Sequence, residues 1–278
     1  MKKIVVKRNK EEEEFNEEKF CKNLINLGID EDKVNKICKN IYDKIPQRVS
    51  SHELFKITLN ELKKEHIGLA LKYNLKDAIY KLGPTGFPFE KYVGKILANY
   101  GYETFTNMWI DGICLEYEID VLAIKENEKF IIECKYHQDY GVKSDLKTVL
   151  YVFGRWIDIK EKNSDLKPWL ITNTKITYEG IQFAECKNLK ITAWKYPKDE
   201  SLEKLIENKF LYPTTILIGI SKDIIKNLVI NNFVLIQDFL WFPLEDISKK
   251  TGISLNILEK IKKQIEALIE IKENSNNF

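Results

Sequence analysis

The chain has 278 residues, enough for two or three domains, each with a core of its own. Its 44 Lys and Arg against 42 Asp and Glu leave a formal charge of +2, so nucleic-acid binding must rest on local surfaces rather than on net charge. No apolar run approaches the ~20 residues of a membrane helix. The N-terminus shows no export signal, and the five cysteines (Cys21, Cys38, Cys114, Cys134, Cys186) are scattered, which predicts reduced thiols in a cytoplasm and argues against a zinc cluster or a disulfide framework.

In chain order the first segment, 1–83, opens with a short hairpin made by "KKIVVK" and "EEEEF" around a polar turn at Arg8 to Lys10. Amphipathic helices follow. Asn16 and Asp30 are placed to cap two of them, and Val34, Ile37, Ile41 and Ile45 repeat at helical spacing. Ser50 with Glu53 is a capping-box signature ahead of the third, and a fourth, "IGLALKYNLKDAIYKL", stops at Gly83-Pro84. The Gly/Pro-rich "GPTGFP" marks the first domain boundary.

The second segment, 84–198, alternates strands and helices, which predicts an α/β layer fold with a mixed sheet flanked by helices. A helix over 89–100 buries Phe89, Val93, Ile96 and Leu97. Strands are expected at 102–106, 114–124 and 129–136, a helix over 143–160, then strand "PWLITN", helix "YEGIQFAEC" and strand "KITAW". The third segment, 199–278, reads as a small helical domain broken at Pro243 and Gly252.

The chemistry concentrates in the second segment. Glu116, Glu118 and Asp120 alternate along one face of "LEYEIDVLAI", and "FIIECK" returns antiparallel with Glu133 and Lys135 two apart. Asp120 and Glu133 therefore meet at one end of a hairpin, with Lys135 beside them. Two converging carboxylates repel unless a divalent cation bridges them or one takes up a proton. Mg²⁺, or Mn²⁺, prefers such hard oxygen ligands, and Lys135 is placed to assist an attacking water and offset charge on the phosphorane. His137 lies on the same face if the strand continues, which makes it a DNA-contact candidate; the alternative is a surface residue at a strand end. Lys143 and Arg155, at the ends of the following helix, read either as DNA-phosphate contacts or as a solvated face. Cys134 alternates to the buried face and reads as a small core residue.

Asp120 followed by Glu133-Cys134-Lys135 resembles the D…(D/E)-x-K signature of the PD-(D/E)xK nuclease superfamily. "GFPFEKYVGKILANYGYE", "EIDVLA", "IIECKYH" and "LITNT" are more closely similar to the Mrr-like restriction endonuclease domain. The resemblance implies DNA cleavage, with Glu90 as a third acid of the metal site; the alternative for Glu90 is an exposed helix carboxylate. "IVVKRNKEEEEFNEEKF", continuing to "LALKYNLKDAIYKL", resembles an ATP-cone. That implies contacts to ATP or dATP from Val6, Lys7, Arg8 and Lys19, although Lys10 stands where the family commonly has Gly. The third segment resembles a helix-hairpin-helix pair, although the first hairpin, "INNF", lacks its glycine; the resemblance implies that the hairpin at Gly252 presents backbone amides to DNA phosphate, and the alternative is a purely packing role. Together these predict a cytoplasmic, nucleotide-regulated DNA endonuclease that is expected to be a homo-oligomer. A DNA-binding regulator with a silent nuclease fold and a DNA-repair nuclease are the rivals.

Overall fold

The computed structural model describes residues 2–8, 10–83 and 86–275. The chain begins with strands β1 (Ile4–Val6) and β2 (Glu12–Glu14) and helices α1 (Glu17–Ile25) and α2 (Glu31–Lys44). Strand β3 (Arg48–Ser50) and helices α3 (Ser51–Glu65) and α4 (Ile67–Ile79) follow. Then come α5 (Phe87–Asn99), β4 (Glu103–Asp111), β5 (Glu116–Lys125), β6 (Glu128–Lys135), β7 (Lys143–Ser144) and α6 (Leu146–Lys160). Next are β8 (Leu166–Thr172), β9 (Lys175–Ile176), α7 (Tyr178–Cys186), β10 (Lys190–Thr192) and α8 (Leu202–Asn208). The chain closes with α9 (Lys222–Ile230), α10 (Asp238–Trp241), α11 (Leu244–Thr251) and α12 (Leu255–Ser275).

These elements form two units that do not follow the three segments of the sequence. One holds the chain up to Ala78, Ile216–Asn231 and everything from Phe239 on; the other holds Ile79–Thr215 and Asn232–Asp238. The third segment is thus no separate domain. Part of it stays with the sheet unit, where the Tyr92 hydroxyl donates to the Leu211 carbonyl at 2.7 Å and Lys95 pairs with Asp238 at 2.8 Å. The boundary expected at Pro84 lies outside the described residues.

In the first unit β1 pairs antiparallel with β2 and parallel with β3, a strand too short to show in the sequence. Asn16, Asp30 and Ser50 cap α1, α2 and α3 by accepting backbone N–H bonds, each satisfying a donor that the first helical turn leaves open. Leu24, Val34, Ile37, Ile41 and Leu62 form the core, and Ile218 and Ile271 from the distant segments pack against it. At Gly68 a Cβ would stand 2.2 Å from the Ala267 carbonyl oxygen, so α4 and α12 approach as only glycine allows. Cys21 of α1 and Cys38 of α2 form a disulfide, which corrects the expectation of uniformly reduced, unpaired thiols. Packing of α1 against α2 brings their Cα atoms to 5.9 Å, a meeting that a separation of 17 residues conceals.

The second unit is built on a mixed five-stranded sheet in the order β10-β8-β6-β5-β4. The β4-β5-β6 part is an antiparallel meander, and β8 and β10 add in parallel through helical crossovers. Helix α5 buries Phe89, Tyr92, Val93, Ile96 and Leu97, the stripe its periodicity predicts. Helices α6 and α7 bury Val149, Val152 and Ala184 against Leu170 and Ile191 of the sheet. No helix among the described residues is long and apolar enough to cross a membrane.

Candidate active site

The ladder between β5 and β6 runs from Lys125↔Glu128 to Val121↔Ile132. One step further it would set Asp120 against Glu133. At that point the backbone pairing ends, while β6 continues beside β8 as far as Lys135↔Thr172. The Cys134 N–H, turned toward β5 beyond the end of the ladder, donates instead to the Asp120 carboxylate at 2.7 Å. The acids thus stand just past the last backbone pair, where a side chain rather than the main chain joins the two strands.

Glu133 is held by an ion pair to the Arg155 guanidinium, whose other arm donates to the Glu118 carbonyl. Burial raises Asp120 above the usual carboxylate range, against the opposing pull of the Cys134 N–H. Burial, then the Asp120 charge, pushes Glu133 up to about 7 although Arg155 and Lys135 oppose it. Glu90, in the first turn of α5, is also pushed up to about 7, first by burial and then by the charges of Asp120, Glu118 and Glu133. The four acids therefore share one electrostatic environment, in which Glu90 feels the charges of Asp120, Glu118 and Glu133. Lys135 is exposed at the strand end.

Among the described residues no three His, Cys, Asp or Glu side chains form a ready-made metal cage. The donor set nevertheless fits a hard divalent cation. Its oxygen ligands are desolvated and mutually repelling, and Mg²⁺ needs only one or two carboxylates when water and phosphate complete its shell.

Arg155 corrects an expectation. It lies inside α6 rather than at its end and binds Glu133, so it is no free phosphate contact. Lys143 precedes the helix altogether, in the two-residue strand β7 beside Lys175 of β9. Helix α6 begins only after Asp145, which caps it. His137 is half-buried and turned inward: its Nε2 lies 3.1 Å from the Ser144 hydroxyl, and Asn173 brackets its backbone with bonds of 2.9 and 2.8 Å. Burial, then Lys135, lowers its basicity. Cys134 is buried, as its alternation predicts.

Sequence reasoning missed the hydroxyl cluster behind His137. Ser144, Thr172 and Thr174 exchange bonds of 3.1 to 3.3 Å, all three buried. The signal was available in the polar "TNT" that ends an otherwise apolar strand.

The remaining candidates lie in the first unit. Val6 is half-buried at the end of β1, and Lys19 is exposed on α1. Lys7 pairs with Glu13 at 2.8 Å and Glu11 at 3.7 Å, so part of the "EEEE" run neutralises the basic strand. Arg8 follows β1, and Lys10 takes a left-handed backbone with φ 68°, the conformation that glycine adopts at least cost. Gly252 caps α11 at φ 72°, and its N–H bonds the Ser248 carbonyl at 2.8 Å.

No family model matches the chain. It is 35% identical over 107 residues to a holo-[acyl-carrier-protein] synthase of Mycoplasma mobile, a match covering 38% of this chain and 94% of that one. The crystal structure described as a protein of unknown function, AF1548, superposes with a TM-score of 0.55 at 34% identity, over 70% of this chain and all of the other. An uncharacterized protein of Archaeoglobus fulgidus is 37% identical over 181 residues, which is 65% of this chain and 98% of the relative. With that identity over nearly the whole of the relative, the chain belongs to the same family as the Archaeoglobus fulgidus protein.

Proposed function

We propose that the protein is a divalent-metal-dependent DNA endonuclease of the Mrr-like, PD-(D/E)xK type. In this reading it is cytoplasmic, homo-oligomeric and regulated by ATP or dATP through an ATP-cone at its N-terminus. The observation that carries it is the desolvated group of Asp120, Glu133 and Glu90 near Lys135, at the point where the backbone pairing of β5 and β6 ends. A purely structural fold gains nothing from burying these acids together, since burial and then their mutual charge push Glu133 of β6 and Glu90 of α5 up to about 7.

Asp120 and Glu133 would hold Mg²⁺ or Mn²⁺, with Glu90 as a third oxygen donor. Such a cation supplies Lewis-acid polarisation of the phosphodiester and charge to offset the pentacoordinate transition state. The Cys134 N–H fixes the Asp120 carboxylate, and Arg155 fixes that of Glu133. Lys135 is exposed at the end of β6, where its ammonium could orient a water by hydrogen bonding and stabilise negative charge on a phosphoryl oxygen. The test is plasmid cleavage by purified protein with Mg²⁺ or EDTA, and with or without ATP and dATP. Nicking or linearisation that needs the cation supports the reading; intact plasmid under every condition refutes it.

A further inference from the structure

We infer that Arg155 is a positioning residue that splints the two carboxylate-bearing strands together and fixes where Glu133 presents its oxygens beside Asp120. The inference rests on the nuclease reading of those carboxylates and assigns a role to a residue outside the signature.

Beyond Val121↔Ile132 no backbone pairing sets the spacing of β5 and β6, yet a site made from one acid on each strand needs that spacing fixed. Arg155 spans the gap with its two arms, one on the Glu133 carboxylate of β6 and one on the Glu118 carbonyl of β5. A planar guanidinium can make both bonds at once; an ammonium is a single point on a flexible stem. The guanidinium is itself constrained. Its side chain is only 15% exposed, and the rings of Tyr117 and Tyr151 flank it at 5.3 and 5.5 Å.

Helix α6 is a firm base for the splint. Val149, Val152 and Ile159 bury its inner face, and the Trp156 indole N–H bonds the Leu166 carbonyl at 2.8 Å. One turn beyond Arg155, Asp158 accepts the backbone N–H groups of Cys114 at 2.9 Å and Leu115 at 3.3 Å. The helix therefore grips β5 at its entry through Asp158 and at Glu118 through Arg155, and reaches across to β6 through Arg155 and Glu133. Residues that orient metal ligands in this way commonly account for ~10–100-fold in metal affinity or activity.

The test is calorimetric titration of Mn²⁺ into the full chain and its Arg155→Ala and Arg155→Lys variants at one pH, with melting curves and plasmid cleavage across Mn²⁺ concentration. Both variants should bind Mn²⁺ ~10–100-fold more weakly. The Mn²⁺ concentration for half-maximal cleavage should rise in parallel, with most of the rate regained at saturation. Added guanidinium ion should restore part of the affinity of Arg155→Ala. Should that variant fail to fold, Arg155→Lys carries the test. Wild-type affinity in Arg155→Lys would show that charge alone suffices and overturn the splint, and tighter binding in Arg155→Ala would make Arg155 a competitor of the cation. In both cases a wild type that binds Mn²⁺ and cleaves leaves the nuclease reading standing. A wild type that takes up no Mn²⁺ overturns both.

Discussion

Replacing Asp120 by Asn tests the electrostatics of the site more sharply than any other change. Asn retains an oxygen acceptor for the Cys134 N–H, so the contact that ends the hairpin survives. The change removes one negative charge beside Glu133, Glu118 and Glu90, each of which is coupled to it. Two carboxylates ~5 Å apart at an effective dielectric of ~20 repel by ~3 kcal/mol. The nearby charges of Arg155 and Lys135 reduce the net relief to ~1–2 kcal/mol. The direction of the shifts sets the pH dependence. Glu133 and Glu90 are raised from 4.5 to about 7 in the folded protein, so the native state holds their protons more firmly than the unfolded chain does. Their contribution to stability is fully present below about 4.5 and is lost as the pH rises through about 7. Asp120→Asn should therefore raise the melting temperature by ~2–6 °C at pH ~8, with little gain at pH ~4.5. Cleavage should fall by at least ~10²-fold. Melting by calorimetry at both pH values, beside plasmid cleavage, checks this. A variant less stable than wild type at the higher pH, or one that cleaves normally, would refute the reasoning.

Lys135→Ala should reduce cleavage by ~10²-fold, and, because Lys135 offsets the charges of Asp120 and Glu133, should lower rather than raise the melting temperature at pH ~8; an unchanged rate removes Lys135 from the mechanism. Thr172→Val keeps the shape but removes one bond each from the buried Ser144 and Thr174 hydroxyls and the side-chain acceptor of the Thr174 N–H, at a cost of ~1–3 kcal/mol in urea unfolding. Gly252→Ala meets no atom within 4 Å, so only the strain at φ 72° acts, and a loss of ~1 kcal/mol by denaturation is expected. Arg8→Ala should weaken ATP or dATP binding by ~1.5–3 kcal/mol in calorimetry. Failure of the wild type to bind either nucleotide at millimolar concentration refutes the ATP-cone reading.

Local chemistry was the legible part of the fold. Asn16, Asp30 and Ser50 announced their helices because a cap needs only its own side chain and a backbone N–H three residues or fewer away. The α5 stripe and the alternation along β5 and β6 were visible for the same reason: periodicity is written within the segment. Features that depend on distant partners were hidden. β3 has three residues and exists because β1 lies beside it, and Ile218 and Ile271 join a core whose other members precede residue 74. No composition shift marks where the chain leaves the sheet unit at Ile216, returns at Asn232 and leaves again at Phe239. The Cys21–Cys38 bond belongs to the same class, because it depends on how two helices pack.

The same division runs through the site. Asp120, Glu133 and Lys135 could be paired on paper because strand register converts sequence spacing into position, and the hairpin turn fixes that register. Arg155 could not, since a helix that packs across a sheet sets no arithmetic relation between its residues and those of the strands. An Arg on α6 looks like any solvated base until Val149, Val152 and Ile159 are seen to turn the helix inward. The orientation of His137 was hidden for a related reason. Its place two residues beyond Lys135 suggested the active face, but the strand ends at Lys135 and alternation does not extend past that end. Asn173 and Ser144 then decide its orientation, and both reach it from outside β6. Signature residues thus report the chemistry a site can attempt, while its geometry is set by residues such as Arg155 and Asn173, whose positions depend on tertiary packing.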